Sequence, residues 1–323
     1  MSETAGPLPT GWRVWVLGAR PRTLPAAIVP VLVGTAASVG ELPRVDAIGD
    51  SLPPTPFYFN ADVADRWINF VLAMVVALAL QVGTNYANDY SDGKRGTDDP
   101  ERRVGPPRLL GNRLASPEAV KRAVIIAFGV AAVAGGALVL RVGWELVPVG
   151  IAAIAAGWFY TGGPRPYGYA GLGELFVFVF FGVVATVGST YVQLGRITWV
   201  SAAASVAVGA YATALLVVNN LRDIPGDTRS GKRTLAVRIG DQRTRMLYAV
   251  LMVVPYLVLP FLAGLSDRPL AALAFAGVVL GTRPIAAVLG GATGAGLVPV
   301  LAATGRAQLA FGALLALGLA VLP

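Results

Sequence analysis

Nine long apolar stretches constrain the fold of this chain more than any other feature of its sequence. A membrane-spanning helix needs about 20 consecutive apolar residues. Stretches of about that length cover approximately residues 22–40, 67–89, 119–139, 143–162, 172–193, 197–219, 244–264, 269–288 and 300–322. Charged residues make up only 14% of the 323 residues, about half of the fraction that is usual in a soluble domain. The sequence therefore predicts an all-α, polytopic membrane protein in which one domain of about nine helices spans residues 1–323.

The sequence contains no cysteine and no histidine, which excludes thiolate nucleophiles, His general bases and zinc centres. A metal bound here must be a hard cation held by carboxylate and amide oxygens, namely Mg²⁺, Mn²⁺ or Ca²⁺. The net charge of +8 lies in short islands between the apolar stretches. This distribution excludes a nucleic-acid-binding protein and a disordered chain.

Lysine and arginine are distributed unevenly between the two ends of the predicted helices. With a cytoplasmic N-terminus, 21 of the 26 basic residues lie on the cytoplasmic side. The positive-inside rule therefore predicts a multi-pass protein of the bacterial cytoplasmic (inner) membrane, surrounded by lipid. Segments 90–118 and 220–243 are then cytoplasmic catalytic loops, and segment 42–66 is an external loop without an assigned role.

Two clusters of acidic residues follow the second and the sixth apolar stretch. Carboxylates at the ends of membrane spans are costly unless they are paired or liganded, so both clusters are predicted to be functional. On a helix, side chains three or four residues apart share a face, which brings Asn88 or Asp89 close to Asp92. Mg²⁺ prefers such oxygen ligands and usually shares them with a substrate phosphate. The metal ligands predicted from these clusters are Asn88, Asp89, Asp92, Asp223 and Asp227.

A Gly-Lys-Arg triplet follows each acidic cluster, at residues 93–95 and 231–233. With an offset of 138 residues the two triplets align, and we interpret the match as a pseudo-repeat, although convergent chemistry would produce the same pattern. Pro225 lies inside the second acidic cluster and predicts a turn there, because proline lacks a backbone donor. The cations alone would satisfy the positive-inside rule, but both signs together are typical of a site that binds a diphosphate through metal and through direct ion pairs. The cations predicted to pair with the diphosphate are Lys94, Arg95, Arg102, Arg103, Arg222, Arg229, Lys232 and Arg233. Asn85 and Asn88 are further predicted substrate-binding residues.

Residues 160–174 form a third polar segment, rich in glycine, proline and tyrosine, between the fourth and fifth apolar stretches. Such a composition fits a simple turn between two helices. It also fits a substrate-facing loop, in which Tyr160 and Arg165 are the predicted contacts.

The sequence of residues 88–92 (Asn-Asp-Tyr-Ser-Asp) and of residues 223–227 (Asp-Ile-Pro-Gly-Asp) resembles the aspartate-rich motifs of the UbiA superfamily of intramembrane aromatic prenyltransferases. Residues 19–24, 85–93 and 160–174 are most similar to the branch that prenylates 1,4-dihydroxy-2-naphthoate in menaquinone synthesis. The resemblance implies a ring of nine helices around a central cavity.

The same resemblance implies an activity and a set of roles. A polyprenyl group passes from polyprenyl diphosphate to 1,4-dihydroxy-2-naphthoate with Mg²⁺ assistance, or Mn²⁺ in its place, and CO₂ is lost to give demethylmenaquinone. The implied catalytic residues are Asp89, Asp92, Asp223, Asp227 and Lys94. A third acid of the first motif falls on Gly96 here, and Asp98 is expected to replace it as a metal ligand. Arg20 or Arg22 is the expected partner of the naphthoate carboxylate.

Two other functions remain open at this point. One is a related prenyltransferase that uses 4-hydroxybenzoate or homogentisate as the acceptor. The other is a cation-coupled transporter, whose acids would lie near the bilayer midplane on broken helices. The position of the acids at the cytoplasmic ends, beside lysine and arginine, favours the transferase.

Overall fold

The computed structural model describes residues 9–39, 63–96 and 106–321 of the chain. These residues form helices and connecting turns, without a β-strand in any of the three ranges. The principal helices are α1 (Trp12–Ala19), α2 (Pro25–Val39), α3 (Val63–Lys94), α4 (Pro117–Arg141), α5 (Leu146–Phe159), α6 (Gly173–Leu194), α7 (Trp199–Arg229), α8 (Asp241–Leu265), α9 (Pro269–Leu289) and α10 (Leu297–Ala320).

From α2 onwards, successive helices run in opposite directions across the bundle. Hydrogen bonds between helix ends show this arrangement, because Arg245 at the start of α8 donates to the Val288 carbonyl at the end of α9. At the other end of the bundle, Arg268 donates to the carbonyls of Ala37 and Leu319. The carboxyl ends of α3 and α7 therefore lie at the same end of the molecule, which we call the acidic end.

Seven described helices are long and apolar enough to cross a membrane, and α1 with α2 forms one further span that is bent by 55°. The helix α5 is shorter, with 14 residues. Each of the nine predicted stretches coincides with one of the helices α2 to α10, so the all-α, membrane-spanning fold is confirmed. Exposed tryptophans mark the end opposite the acids, namely Trp67, Trp144 and Trp199, as expected for side chains at a membrane interface.

The helices α3 and α7 extend well beyond the predicted spans, and this corrects the predicted loops. Residues 90–94 belong to α3, residues 220–229 belong to α7, and residues 63–66 of the predicted external loop already belong to α3. Residues 42–62 and 97–105 lie outside the described residues. The turn predicted at Pro225 is also wrong, because α7 continues through this proline. Membrane helices tolerate proline because neighbouring groups satisfy the freed carbonyl.

The helix α7 lies at the centre of the bundle and packs against α2, α6, α8 and α10. Close approach depends on glycines where helices cross. A Cβ on Gly34 of α2 would lie 2.1 Å from the Thr186 carbonyl oxygen of α6, and a Cβ on Gly182 would lie 2.5 Å from the Cα of Gly209 in α7. Small residues at such crossings allow the tight backbone packing that stabilises helices in lipid. These contacts join α2 to α6 and α6 to the middle of α7.

Candidate active site

The last turns of α3 and α7 are equivalent at an offset of 135 residues rather than the predicted 138. At this offset the two helices end at matching residues, and Gly96 and Gly231 beyond them have φ angles of 69° and 73°. The matching polar pairs are Asn85 with Asn220, Asn88 with Asp223, and Asp92 with Asp227. All six of these side chains line the same cavity. The pseudo-repeat is therefore a repeat of helix-terminal polar residues.

A cavity of about 1210 Å³ opens at the acidic end and is surrounded mainly by α2 to α7. No described residue of α8 or α9 lines it. The predicted site residues that line it are Arg20, Arg22, Asn85, Asn88, Asp92, Tyr160, Arg222, Asp223, Asp227 and Lys232. The predicted residues that lie outside its lining are Asp89, Lys94, Arg95, Arg165 and Arg233. Asp98 lies outside the described residues.

Asp89 lies behind the cavity wall, where it holds α1 and a loop segment against α3. Its side chain is 1% exposed and forms ion pairs with Arg20 and Arg108, and it also accepts a hydrogen bond from the Leu109 amide at 3.1 Å. Arg20 adopts a left-handed conformation (φ 52°) at the break between α1 and α2. Both oxygens of Asp89 are thus engaged by protein donors, as are those of Asp223, and the metal-binding role of Asp89 stays a prediction.

Asp92 lines the cavity and binds two groups from the opposite wall. Its Oδ2 lies 3.1 Å from Lys232 Nζ, and its Oδ1 accepts a hydrogen bond from the Tyr169 hydroxyl. The ammonium of Lys232 also lies 4.7 Å from the centre of the Tyr169 ring. Burial lowers the Lys232 pKa, but Asp92, Tyr169 and Asp227 raise it by more, so the pKa is raised overall. Lys232 therefore remains a cation inside the cavity.

In the second acidic motif, the carboxylates bind other partners than Asp92 does. Both oxygens of Asp223 accept hydrogen bonds from Arg222 at 2.7 Å, and Arg222 also donates to Asn219 Oδ1 at 2.8 Å. Asp227 accepts a longer hydrogen bond, of 3.5 Å, from Thr234, which caps the short helix Leu235–Ile239. The short helix and its cap thus fix the segment that carries Lys232.

The segment of residues 160–174 is attached directly to α3. Thr161 donates to Asn88 Oδ1 at 2.8 Å, and Arg95 donates to the carbonyls of Thr161 and Gly163. Tyr160 lines the cavity among acidic groups, and burial followed by the charge of Glu174 raises its hydroxyl pKa well above the ordinary value. Tyr160 of this segment thus lines the cavity, whereas Arg165 is exposed outside the lining. Their contacts with a substrate stay a prediction.

The two lysines of the Gly-Lys-Arg triplets have different surroundings. Lys232 is 8% exposed inside the cavity. Lys94 is exposed and donates to the Tyr90 hydroxyl at 3.2 Å. Arg233, next to Lys232, is also exposed. The two identical triplets are therefore not equivalent in the structure.

The charge of the cavity lining favours an anionic ligand. Among the described residues, three carboxylates line it, and seven cations accompany them: Arg13, Arg20, Arg22, Arg108, Arg222, Arg229 and Lys232. Clefts lined by an excess of one sign concentrate ligands of the opposite sign. The polar end thus suits a multiply charged anion.

An apolar arm of the same cavity extends between α3, α4, α5 and α6. Its lining reaches Ala73, which lies 19 residues before Asp92 on α3, a distance of about 28 Å along the helix. Of the four phenylalanines at 176–181, Phe176, Phe180 and Phe181 line the cavity, whereas Phe178 packs against Gly209. The arm is long enough to hold an extended hydrocarbon chain across the membrane.

Several residues that were not predicted individually also line the cavity, namely Arg108, Asn219 and Asn220, together with Thr161 and Tyr169 of the predicted segment 160–174. The two asparagines could have been predicted from the sequence, because they precede Asp223 by one helical turn inside an otherwise apolar span. Arg108 could not have been predicted, since it lies in a loop and reaches Asp89 only through tertiary packing.

The donors in the cavity fit a hard divalent cation that shares its ligands with a phosphate. They are carboxylate and amide oxygens, which Mg²⁺ prefers. No three acidic residues within the described ranges converge closely enough to hold an ion by themselves. A cation that takes one or two carboxylates and completes its shell with substrate oxygens matches this donor set.

The sequence matches the UbiA prenyltransferase family over residues 52–289. The chain belongs to this family. It is 48% identical to a 1,4-dihydroxy-2-naphthoate octaprenyltransferase of Mycobacterium tuberculosis, with 91% of this chain and 92% of that protein covered. It is 36% identical to the Escherichia coli protein of the same name, over 74% and 73% of the two chains.

Solved structures of other family members share the fold. A UbiA homolog from Archaeoglobus fulgidus bound to GPP and Mg²⁺ superposes with a TM-score of 0.59 at 15% identity, covering 94% of this chain and 99% of that chain. The apo structure of a UbiA homolog from Aeropyrum pernix superposes with a TM-score of 0.60 at 14% identity, covering 90% and 96%. This likeness confirms the predicted fold of the family.

Proposed function

We propose that this protein transfers a polyprenyl group from polyprenyl diphosphate to 1,4-dihydroxy-2-naphthoate, with release of diphosphate and CO₂, to form the reduced (quinol) form of demethylmenaquinone, which dioxygen afterwards oxidises to the quinone. The observation that carries the proposal is one continuous cavity with a cationic polar end and a long apolar arm. A prenyl diphosphate has the same division into a charged head and an apolar chain. The names of the naphthoate-specific relatives support the choice of acceptor.

The diphosphate is placed at the polar end, where the last turns of α3 and α7 meet. Mg²⁺, or Mn²⁺ in its place, would be held by Asn88, Asp92, Asp223 and Asp227, with Asp98 as a further proposed ligand, and would neutralise charge on the leaving diphosphate. Arg222, Arg229 and Lys232 line the same end and bind the outer diphosphate oxygens.

Prenyl transfer requires breakage of the bond between the allylic carbon and the diphosphate oxygen. The cations of the polar end stabilise the charge that develops on the diphosphate. The ring carbon of the acceptor then forms a bond with the allylic cation, and the carboxyl group on that carbon leaves as CO₂. Phe176, Phe180 and Phe181 exclude water, which would otherwise capture the cation.

The carboxylate of the acceptor is placed at the mouth of the cavity. Arg20 is ion-paired with Asp89, whereas Arg22 lines the cavity and its side chain is exposed. We therefore assign the acceptor carboxylate to Arg22. The excess of basic residues at this end supports a cytoplasmic location for the mouth.

The test is an incubation of membranes that contain the protein with a prenyl diphosphate and either 1,4-dihydroxy-2-naphthoate or 4-hydroxybenzoate, followed by mass analysis of the quinone. The expected product is the quinol of demethylmenaquinone, detected as the quinone after oxidation in air, and only with the naphthoate. Prenylation of 4-hydroxybenzoate alone would refute the acceptor assignment. Movement of cations across vesicles without any prenyl product would refute the transferase.

A further inference from the structure

Glu174 is a buried carboxyl group beside the cavity that the proposed reaction does not use. It lies in the first turn of α6 and is 6% exposed. Its Oε1 accepts a hydrogen bond from Asn220 Nδ2 at 2.9 Å, and its Oε2 has no hydrogen-bond partner among the described residues. An unpartnered carboxyl oxygen inside a membrane span is costly, which is typical of a group with a functional role.

The hydrogen bond to Glu174 determines how Asn220 faces the cavity. A carboxylate accepts hydrogen bonds and donates none, so the Asn220 amide must direct its NH₂ group towards Glu174. The carbonyl oxygen Oδ1 is then directed away from Glu174. Because Asn220 lines the cavity and Oδ1 accepts no hydrogen bond from a described residue, this oxygen is available to a ligand.

We infer that Glu174 is a positioning residue that holds Asn220 so that its Oδ1 accepts a hydrogen bond from a ring hydroxyl of the aromatic acceptor. This inference rests on the proposed function. Attack by the ring on an allylic cation makes the ring electron-poor and its hydroxyl proton more acidic. A hydrogen bond to that proton strengthens in the transition state and therefore raises kcat.

The position of Asn220 fits this role. It precedes Asp223 by three residues, which is about 4.5 Å along α7, on the side of the apolar arm. Aromatic rings line the same cavity, with Tyr167 and Phe176 stacked at 3.9 Å between ring centres. A hydroxyarene bonded to Asn220 therefore lies between the diphosphate and the start of the apolar arm, where the allylic carbon emerges.

The test is a double-mutant cycle with Glu174→Gln and Asn220→Ala in the full-length protein, assayed with whichever hydroxyarene the wild type prenylates. Gln keeps the size of Glu174 but presents either a donor or an acceptor, so it no longer orients Asn220. We expect each variant to lower kcat about tenfold, the value of one hydrogen bond. We expect the double variant to be no slower than Asn220→Ala, and the KM for prenyl diphosphate to stay at the wild-type value in all three.

The adjacent Asn219 provides a matched control, because its Oδ1 accepts from Arg222 at the diphosphate end. Asn219→Ala should raise the KM for prenyl diphosphate, whereas Asn220→Ala should lower kcat and leave this KM unchanged. Additive losses in the double variant, or a loss above about a hundredfold in Glu174→Gln alone, which is typical of a missing general base, would overturn the inference. A wild-type kcat in Asn220→Ala would overturn it even if Glu174→Gln does not fold. A wild type without activity on any hydroxyarene would instead refute the proposed function, and the inference with it.

Discussion

Lys94 and Lys232 occupy the same place in two identical triplets, and their different surroundings predict different kinetic effects. The perturbation is replacement of each lysine by methionine, which keeps the aliphatic stem and removes the charge. Lys232 is 8% exposed and its ammonium lies 3.1 Å from Asp92 at the polar end. A hydrogen bond to a charged group contributes about 1.5–3 kcal/mol. Lys232→Met should therefore raise the KM for prenyl diphosphate roughly 10- to 100-fold.

Lys94 is solvated outside the cavity lining, so Lys94→Met should change the same KM less than about threefold. The assay is steady-state kinetics in detergent or vesicles, with each substrate varied in turn and the KM for the acceptor as an internal control. Since the raised pKa of Lys232 keeps it protonated, its contribution should stay constant between about pH 7 and 9. Equal effects of the two substitutions, or an effect of Lys232→Met confined to the acceptor, would refute the assignment.

Three further predictions concern the acids and the acceptor. Asp92→Asn and Asp227→Asn should each abolish transfer in protein that still elutes as a folded species on gel filtration. EDTA should abolish wild-type activity until Mg²⁺ is restored. Full activity of either variant at saturating Mg²⁺ would exclude that residue as a metal ligand. Asp89→Asn should instead destabilise the protein by about 3 kcal/mol, because it leaves two partly buried arginines without their carboxylate. An unchanged thermal midpoint would contradict this. Arg22→Lys should preserve expression and raise the KM for the naphthoate, since lysine cannot form a bidentate contact; unchanged kinetics would leave Arg22 with a topological role only.

Much of the fold follows from local sequence. The apolar stretches predict the helices because a helix that crosses lipid must satisfy its backbone internally and present apolar side chains over a fixed length. Loop boundaries were less predictable, since α3 and α7 continue into polar residues that belong to the cavity. Polar residues at a helix end look like a loop when only hydropathy is considered.

The candidate site was predictable as a region but not residue by residue. Asn85, Asn88 and Asp92 form one stripe of α3 that faces the cavity, and Asp89 lies about 100° further round the helix from Asn88. Both faces of the helix carry polar residues, so periodicity alone cannot distinguish them. Arg108, from a distant loop, supplies the partner that accounts for the buried Asp89.

The sequence by itself determined the approximate number and position of the membrane-embedded helices, the chemistry available without cysteine or histidine, and the two motifs where that chemistry occurs. Only the tertiary structure decided which members of those motifs reach the cavity, which of the two lysines is buried, and that Glu174 on α6 contacts Asn220 on α7. The physical reason is the separation along the chain between the groups that decide each property. Helix formation and membrane insertion depend on neighbours within a few turns, whereas burial, ion pairing and the orientation of an amide depend on groups that the chain brings together from tens of residues away.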